Sequence, residues 1–195
     1  MEYKRKIIVS ISFVIFGDTL LLTMNLHPII VHFPIALLTV YSILECLRWT
    51  QLTNESWNHG TKSLLLILGT IGTVAAIGSG SVAAEVFEGT PTMRLVELHA
   101  AFANLSLVLY GILMLTYIAE ESRRRKWITK VPKFLQKLGV YFEQFFCTLF
   151  RPWFLILFSI LGFIALAVTG ALGGALVYGP DADPIVSLVY HALYR

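Results

Sequence analysis

The sequence predicts an all-α integral membrane protein. The expected architecture is a four-helix transmembrane bundle with an N-terminal hydrophobic helix before it and a cytoplasmic amphipathic helix inserted within it. Three observations carry that prediction. Of 195 residues, 56% are hydrophobic and only 14% charged, against roughly 25% charge in soluble domains. The mean hydropathy is +0.73. Apolar runs of about 20 residues, the length that crosses a bilayer, recur along the chain. The same composition excludes other classes. Thirteen Phe, eight Tyr and four Trp exclude disorder. A net charge of +3 offers no nucleic-acid surface. Cys46 and Cys147 are too few for a disulfide framework and form no C-x-x-C.

The first run, Ile7–Met24, follows Lys4, Arg5 and Lys6 and is interrupted by Gly17 and Asp18. It has the layout of a signal sequence but no A-x-A-like cleavage site. Residues 1–26 are therefore expected to form a basic segment and an uncleaved anchor helix, making five spans rather than four. The membrane domain, 27–178, contains four clearer runs: His27–Trp49, Ser63–Val86, Leu95–Ala119 and Trp153–Tyr178. Pro28 suits a first helical position, where its missing N–H costs nothing, with His27 as the cap. Thr90-Pro91 has the same look at the start of the third span.

Small residues let helices in lipid approach closely. The second span carries Gly72, Ala76, Gly80 and Ala84 at four-residue spacing. The fourth carries Gly162, Gly170 and Gly174 beside a row of Ala167, Ala171 and Ala175. Its far end, Thr169-Gly-Ala-Leu-Gly-Gly-Ala175, is bare enough to suggest a slot for a flat group at Gly170, Gly173 and Gly174.

Segment 120–152 opens on Glu120, Glu121 and the basic run Arg123–Lys126. Val131, Phe134, Leu135, Leu138, Tyr141, Phe142, Phe145, Phe146 and Leu149 then recur at helical spacing with Lys130, Lys133 and Lys137 among them. Such a helix lies in the membrane interface and pairs with anionic lipid, or docks a cytoplasmic partner. In the tail, 179–195, Asp183 before Pro184 marks a helix start. That tail is expected to lie on the outer surface or to fold over the bundle mouth.

Lysine and arginine set the orientation. With the N-terminus in the cytoplasm and five crossings, every basic residue except Arg94 and Arg195 falls inside, and the C-terminus lies outside. The same topology leaves His59 alone on the cytoplasmic side. His27, His32, His99 and His191 fall in the outer half or beyond. His32 lies about 7 Å deeper than His27, and the two face about 140° apart. His99 lies about 12 Å beyond Pro91 on the third helix, so it and His32 share a depth. Ionisable groups inside a span are functional candidates by default. Two imidazoles from different helices beside a small-residue slot point to haem b, with His32 and His99 as its axial iron ligands. His27 or His191 would take a second ligand position, a propionate or a quinone. No C-x-x-C-H is present, which excludes covalent attachment. Zinc or copper would also suit imidazole, but no carboxylate or cysteine stands at ligand spacing. Glu85, Glu88 and Glu97 are expected at the interface, facing water.

His27-Pro-Ile-Ile-Val-His-Phe-Pro-Ile-Ala-Leu-Leu38 resembles the opening signature of a bacterial family of four-helix membrane proteins of unknown function. The likeness continues through the glycine-rich second span, His99, and Thr169-Gly-Ala-Leu-Gly-Gly-Ala-Leu-Val-Tyr178, covering roughly residues 25–180. The resemblance implies a small multi-pass protein of the bacterial inner membrane. The N-terminal run and the amphipathic insert depart from the compact family pattern.

The reading that follows is a haem-b electron carrier or a subunit of a membrane redox complex, with an outer-face redox partner and surrounding lipid. A cofactor-free structural or assembly subunit is the alternative. Metal or solute transport ranks third, because no inverted repeat or paired broken helix is present. G-x-S-x-G, H-E-x-x-H and P-loop motifs are absent, so a non-catalytic role is expected over an enzymatic one.

Overall fold

The computed structural model of the chain describes residues 26–47 and 55–194, with backbone alone for 55–57. The expected anchor helix, with Asp18, lies outside the described residues. Within them the chain is helical with no strand. Helix α1 is Leu26–Leu47, α2 Glu55–Ala84, α3 Met93–Arg125, α4 Lys133–Leu149, α5 Pro152–Tyr178 and α6 Pro184–Leu193. Helices α1, α2, α3 and α5 are long and apolar enough to cross a membrane. They are the four spans expected from the hydropathy pattern.

Two boundaries move for local reasons. Helix α3 starts at Met93, because Thr90 spends its hydroxyl on the Phe87 carbonyl (2.7 Å) in the preceding turn. Thr90-Pro91 therefore belongs to the loop and does not cap α3. At its other end α3 runs on to Arg125, since Glu120 and Glu121 pair with Arg123 and Arg125 along the helix, a spacing that supports helix. It stops where Lys126 takes a left-handed conformation (φ 52°). The amphipathic insert is thus the end of α3, a short turn at Trp127–Lys130, and α4.

Helix α3 is the central element and packs on α2, α4 and α5. The core forms two clusters. One gathers Leu38, Tyr41, Leu66, Tyr110, Leu113, Tyr117, Phe154, Leu155 and Leu166. The other gathers Leu95, Ala171, Leu172, Ala175 and Val186 at the opposite end. Leu64, Leu68, Ile71, Val108, Leu157 and Ile164 face outward, as lipid-facing side chains do. The small residues of α2 set its approach to α1. A Cβ on Gly72 would stand 3.1 Å from the Phe33 ring, and one on Gly69 would overlap Leu38 at 2.6 Å.

Helix α6 is capped as its sequence predicts: the Asp183 carboxylate accepts from the Ile185 and Val186 amides at 2.8 and 2.9 Å. It folds back over the bundle mouth. Val186 is buried against Gly174, and the Tyr194 hydroxyl donates to the Pro91 carbonyl at 3.2 Å.

Candidate functional site

The inward face of α1 is set by Pro34, Leu38, Tyr41 and Glu45, all buried. Stepping back seven residues from Pro34 along this stripe arrives at His27. The Nδ1 of His27 lies 2.9 Å from Ser79 Oγ on α2. Ser79 donates its own proton to the Ala76 carbonyl at 3.0 Å, so its oxygen accepts and His27 carries the proton on Nδ1. Gly80 makes the room, since a Cβ there would sit 2.9 Å from the His27 ring.

His99 projects from α3 onto α5. Its Nδ1 lies 2.9 Å from the Thr169 carbonyl. A carbonyl only accepts, so the proton is again on Nδ1. Gly173 makes the room, with a Cβ position 3.2 Å from the ring. In both imidazoles, Nε2 has no hydrogen-bond partner among the described residues. A metal-ligating histidine characteristically donates its other ring N–H to a carbonyl or similar acceptor, which fixes the tautomer. His27 and His99 are already held in that form.

The structure turns His32 the other way. It is exposed, with Nδ1 bonded to the Pro28 carbonyl one turn back on its own helix. The reason is rotational: five residues carry a helix about 140° past its starting face, so His27 on the inner stripe excludes His32 from it. The inward imidazole of α1 is His27, set on α2, and that of α3 is His99, set on α5. The sequence signal was present in the spacing of Pro34, Leu38, Tyr41 and Glu45 and only needed extending backward.

The glycines of α5 have three different surroundings. Gly173 is filled by His99 and Gly174 by Val186, while a Cβ on Gly170 meets nothing within 4 Å. Gly173 and Gly174 thus let His99 and α6 pack close, while the space over Gly170 is open. His191 is exposed, 3.4 Å from Asp181. Glu85, Glu88 and Glu97 are exposed. Among the described residues no three His, Cys, Asp or Glu side chains come together as a metal site.

A second polar centre, unmarked by any motif, lies toward the other end. Glu45 of α1 is 2% exposed and Lys62 of α2 7%. Lys62 Nζ stands 3.1 Å from Glu45 Oε2, and the Tyr117 hydroxyl of α3 donates to the same oxygen at 2.8 Å. Ser42 and Tyr110 share a further bond of 2.8 Å. Tyr41 Oη and Ser159 Oγ, both enclosed, have no partner among the described residues. Hydropathy reading passes over Glu45 because one acid does not break an apolar run, and it assigns Lys62 to the cytoplasmic charge.

An apolar helical bundle with ionisable groups paired inside it defines a multi-pass integral membrane protein. Residues 23–181 match the family described as "Predicted membrane protein (DUF2231)", and the chain belongs to that family. No curated protein and no solved structure matches it.

Proposed function

We propose that this protein binds haem b in the membrane and passes electrons, with His27 and His99 as the residues that would hold its iron. The observation that carries the reading is the pair of inward imidazoles on α1 and α3, each with Nδ1 tied down and Nε2 without a partner among the described residues. The donor chemistry suits haem iron, which takes neutral imidazole nitrogen. Bound haem would supply one-electron transfer. The chain's own part is to hold both rings: Ser79 and the Thr169 carbonyl orient them, and Gly80 and Gly173 admit them. A redox partner at the face closed by α6 follows from that location, in a bacterial inner membrane with the α3–α4 end in the cytoplasm.

The test is a dithionite-reduced minus oxidised spectrum of protein purified from haem-replete cells, with haem per chain from the pyridine haemochromogen. The expected result is sharp α and Soret bands that disappear in His27→Ala and His99→Ala and persist in His32→Ala. A colourless protein overturns the proposal.

A colourless result would favour the second reading, a structural or assembly subunit. Its specific support is that Gly69, Gly72, Gly80, Gly173 and Gly174 are all filled by the chain's own side chains, as packing alone requires.

A further inference from the structure

The end of the bundle opposite His27 and His99 carries a cleft of about 350 Å³ lined by His59, Gly60, Glu121, Arg124 and Arg125. We propose that it binds the phosphate group of an anionic phospholipid headgroup, with Arg124 as the principal contact. This site is independent of the haem reading.

The argument begins with the ion pairs at the end of α3. Arg123 holds Glu120 through bonds of 2.7 to 3.1 Å. Arg125 pairs with Glu121, which neutralises the carboxylate in the cleft. Arg124 is left with a single ion contact, 3.7 Å from Glu120 Oε1, which is longer than a hydrogen bond. Its guanidinium is a planar fork suited to two phosphate oxygens at once.

His59 forms one wall of the cleft. Its side chain is 13% exposed, its Nδ1 is 3.8 Å from Glu121, and its Nε2 is buried with no partner among the described residues. The ring is held against Tyr117 (centroids 5.2 Å) and Phe150 (5.9 Å). Gly60 contributes no side chain, and a Cβ there would meet nothing within 4 Å. The volume is at the low end of ligand pockets, roughly 300–1,000 Å³, enough for a headgroup and too small for a whole lipid.

Depth and surroundings identify the source of the phosphate. The cleft lies where α2 begins and α3 ends, at headgroup level for helices that span. Beside it, α4 exposes Phe134, Leu138, Tyr141 and Phe145 together with Lys133 and Lys137. That is the pattern of a helix lying in an anionic interface. Basic pockets between spans on the cytoplasmic side are recurrent headgroup sites.

The experiment is native mass spectrometry of the full chain, delipidated in detergent and titrated with phosphatidylglycerol, phosphatidylcholine or inorganic phosphate. Phosphatidylglycerol is expected to bind, with affinity falling roughly tenfold in Arg124→Gln, the loss of one charge-assisted contact. Lys126→Gln, which removes the same charge outside the cleft, should change it by less than about twofold. Arg124→Lys should recover only part, because the fork is lost. Binding of inorganic phosphate alone, lost in Arg124→Gln, would support the phosphate site and assign it to a free anion. Equal binding of phosphatidylcholine, or equal losses in the Arg124 and Lys126 variants, would overturn the proposal. Arg124 is half exposed, and a matching melting temperature checks that the variant is folded.

Discussion

The two ends of the bundle hold buried polar groups in opposite ways. At the Glu45 end, opposite charges meet across α1 and α2, and Tyr117 of α3 completes the carboxylate's hydrogen bonding. At the His27 end, two rings each use one nitrogen on a neighbouring helix, and the other nitrogen has no partner among the described residues. A satisfied ion pair inside a membrane acts as a clip between helices. A half-satisfied imidazole in a fixed tautomer is available to a ligand. The difference separates a structural polar centre from a candidate functional one within the same four spans.

The sharpest way to break this comparison is to remove one charge of the clip. Lys62→Met leaves a buried carboxylate without its partner, and breaking such a pair costs about 3–5 kcal/mol. Thermal unfolding in detergent should show that loss. The double change Glu45→Leu with Lys62→Met should recover most of it, because no lone charge then remains. Recovery failing would make the cluster more than a clip.

At the other end, Gly80→Leu drives a side chain into the space of His27. Overpacking of this kind costs about 1–3 kcal/mol. The same variant should lose haem if the ring geometry matters, whereas Gly170→Leu, which meets open space, should leave stability and spectrum unchanged. A smaller effect is expected at the closing helix. Asp183→Ala removes the cap of α6 and should cost about 1 kcal/mol, read as faster proteolysis of the tail. Smallest of all, Glu88→Gln and Glu97→Gln should stay within about 0.5 kcal/mol of the parent, since both are exposed and belong to neither polar centre.

The legibility of the sequence follows the same division. Spans were readable because burying a helix in lipid needs a long apolar run, a property of consecutive residues. The Asp183 cap and the amphipathic character of α4 were readable because both depend on neighbours within a turn or two. The exposed position of His32 was not readable from depth along the helix alone, because depth says nothing of rotation. Five residues between His27 and His32 put only one of them on the stripe of Pro34, Leu38, Tyr41 and Glu45. What stands over the glycines of α5 was not readable, because a missing side chain looks alike whether a ligand or a neighbouring helix fills the space.

What the sequence determined by itself was the class of protein, four spans, the amphipathic insert and the cap of the last helix, all local consequences of composition and periodicity. The tertiary structure decided that Glu45 meets Lys62, that His27 meets Ser79 and His99 the Thr169 carbonyl, and that Gly173 and Gly174 receive His99 and Val186. Those are contacts between helices far apart in the chain. Their selection depends on the rotation of each helix about its axis and on the close approach that small residues permit, and neither is written in any single segment.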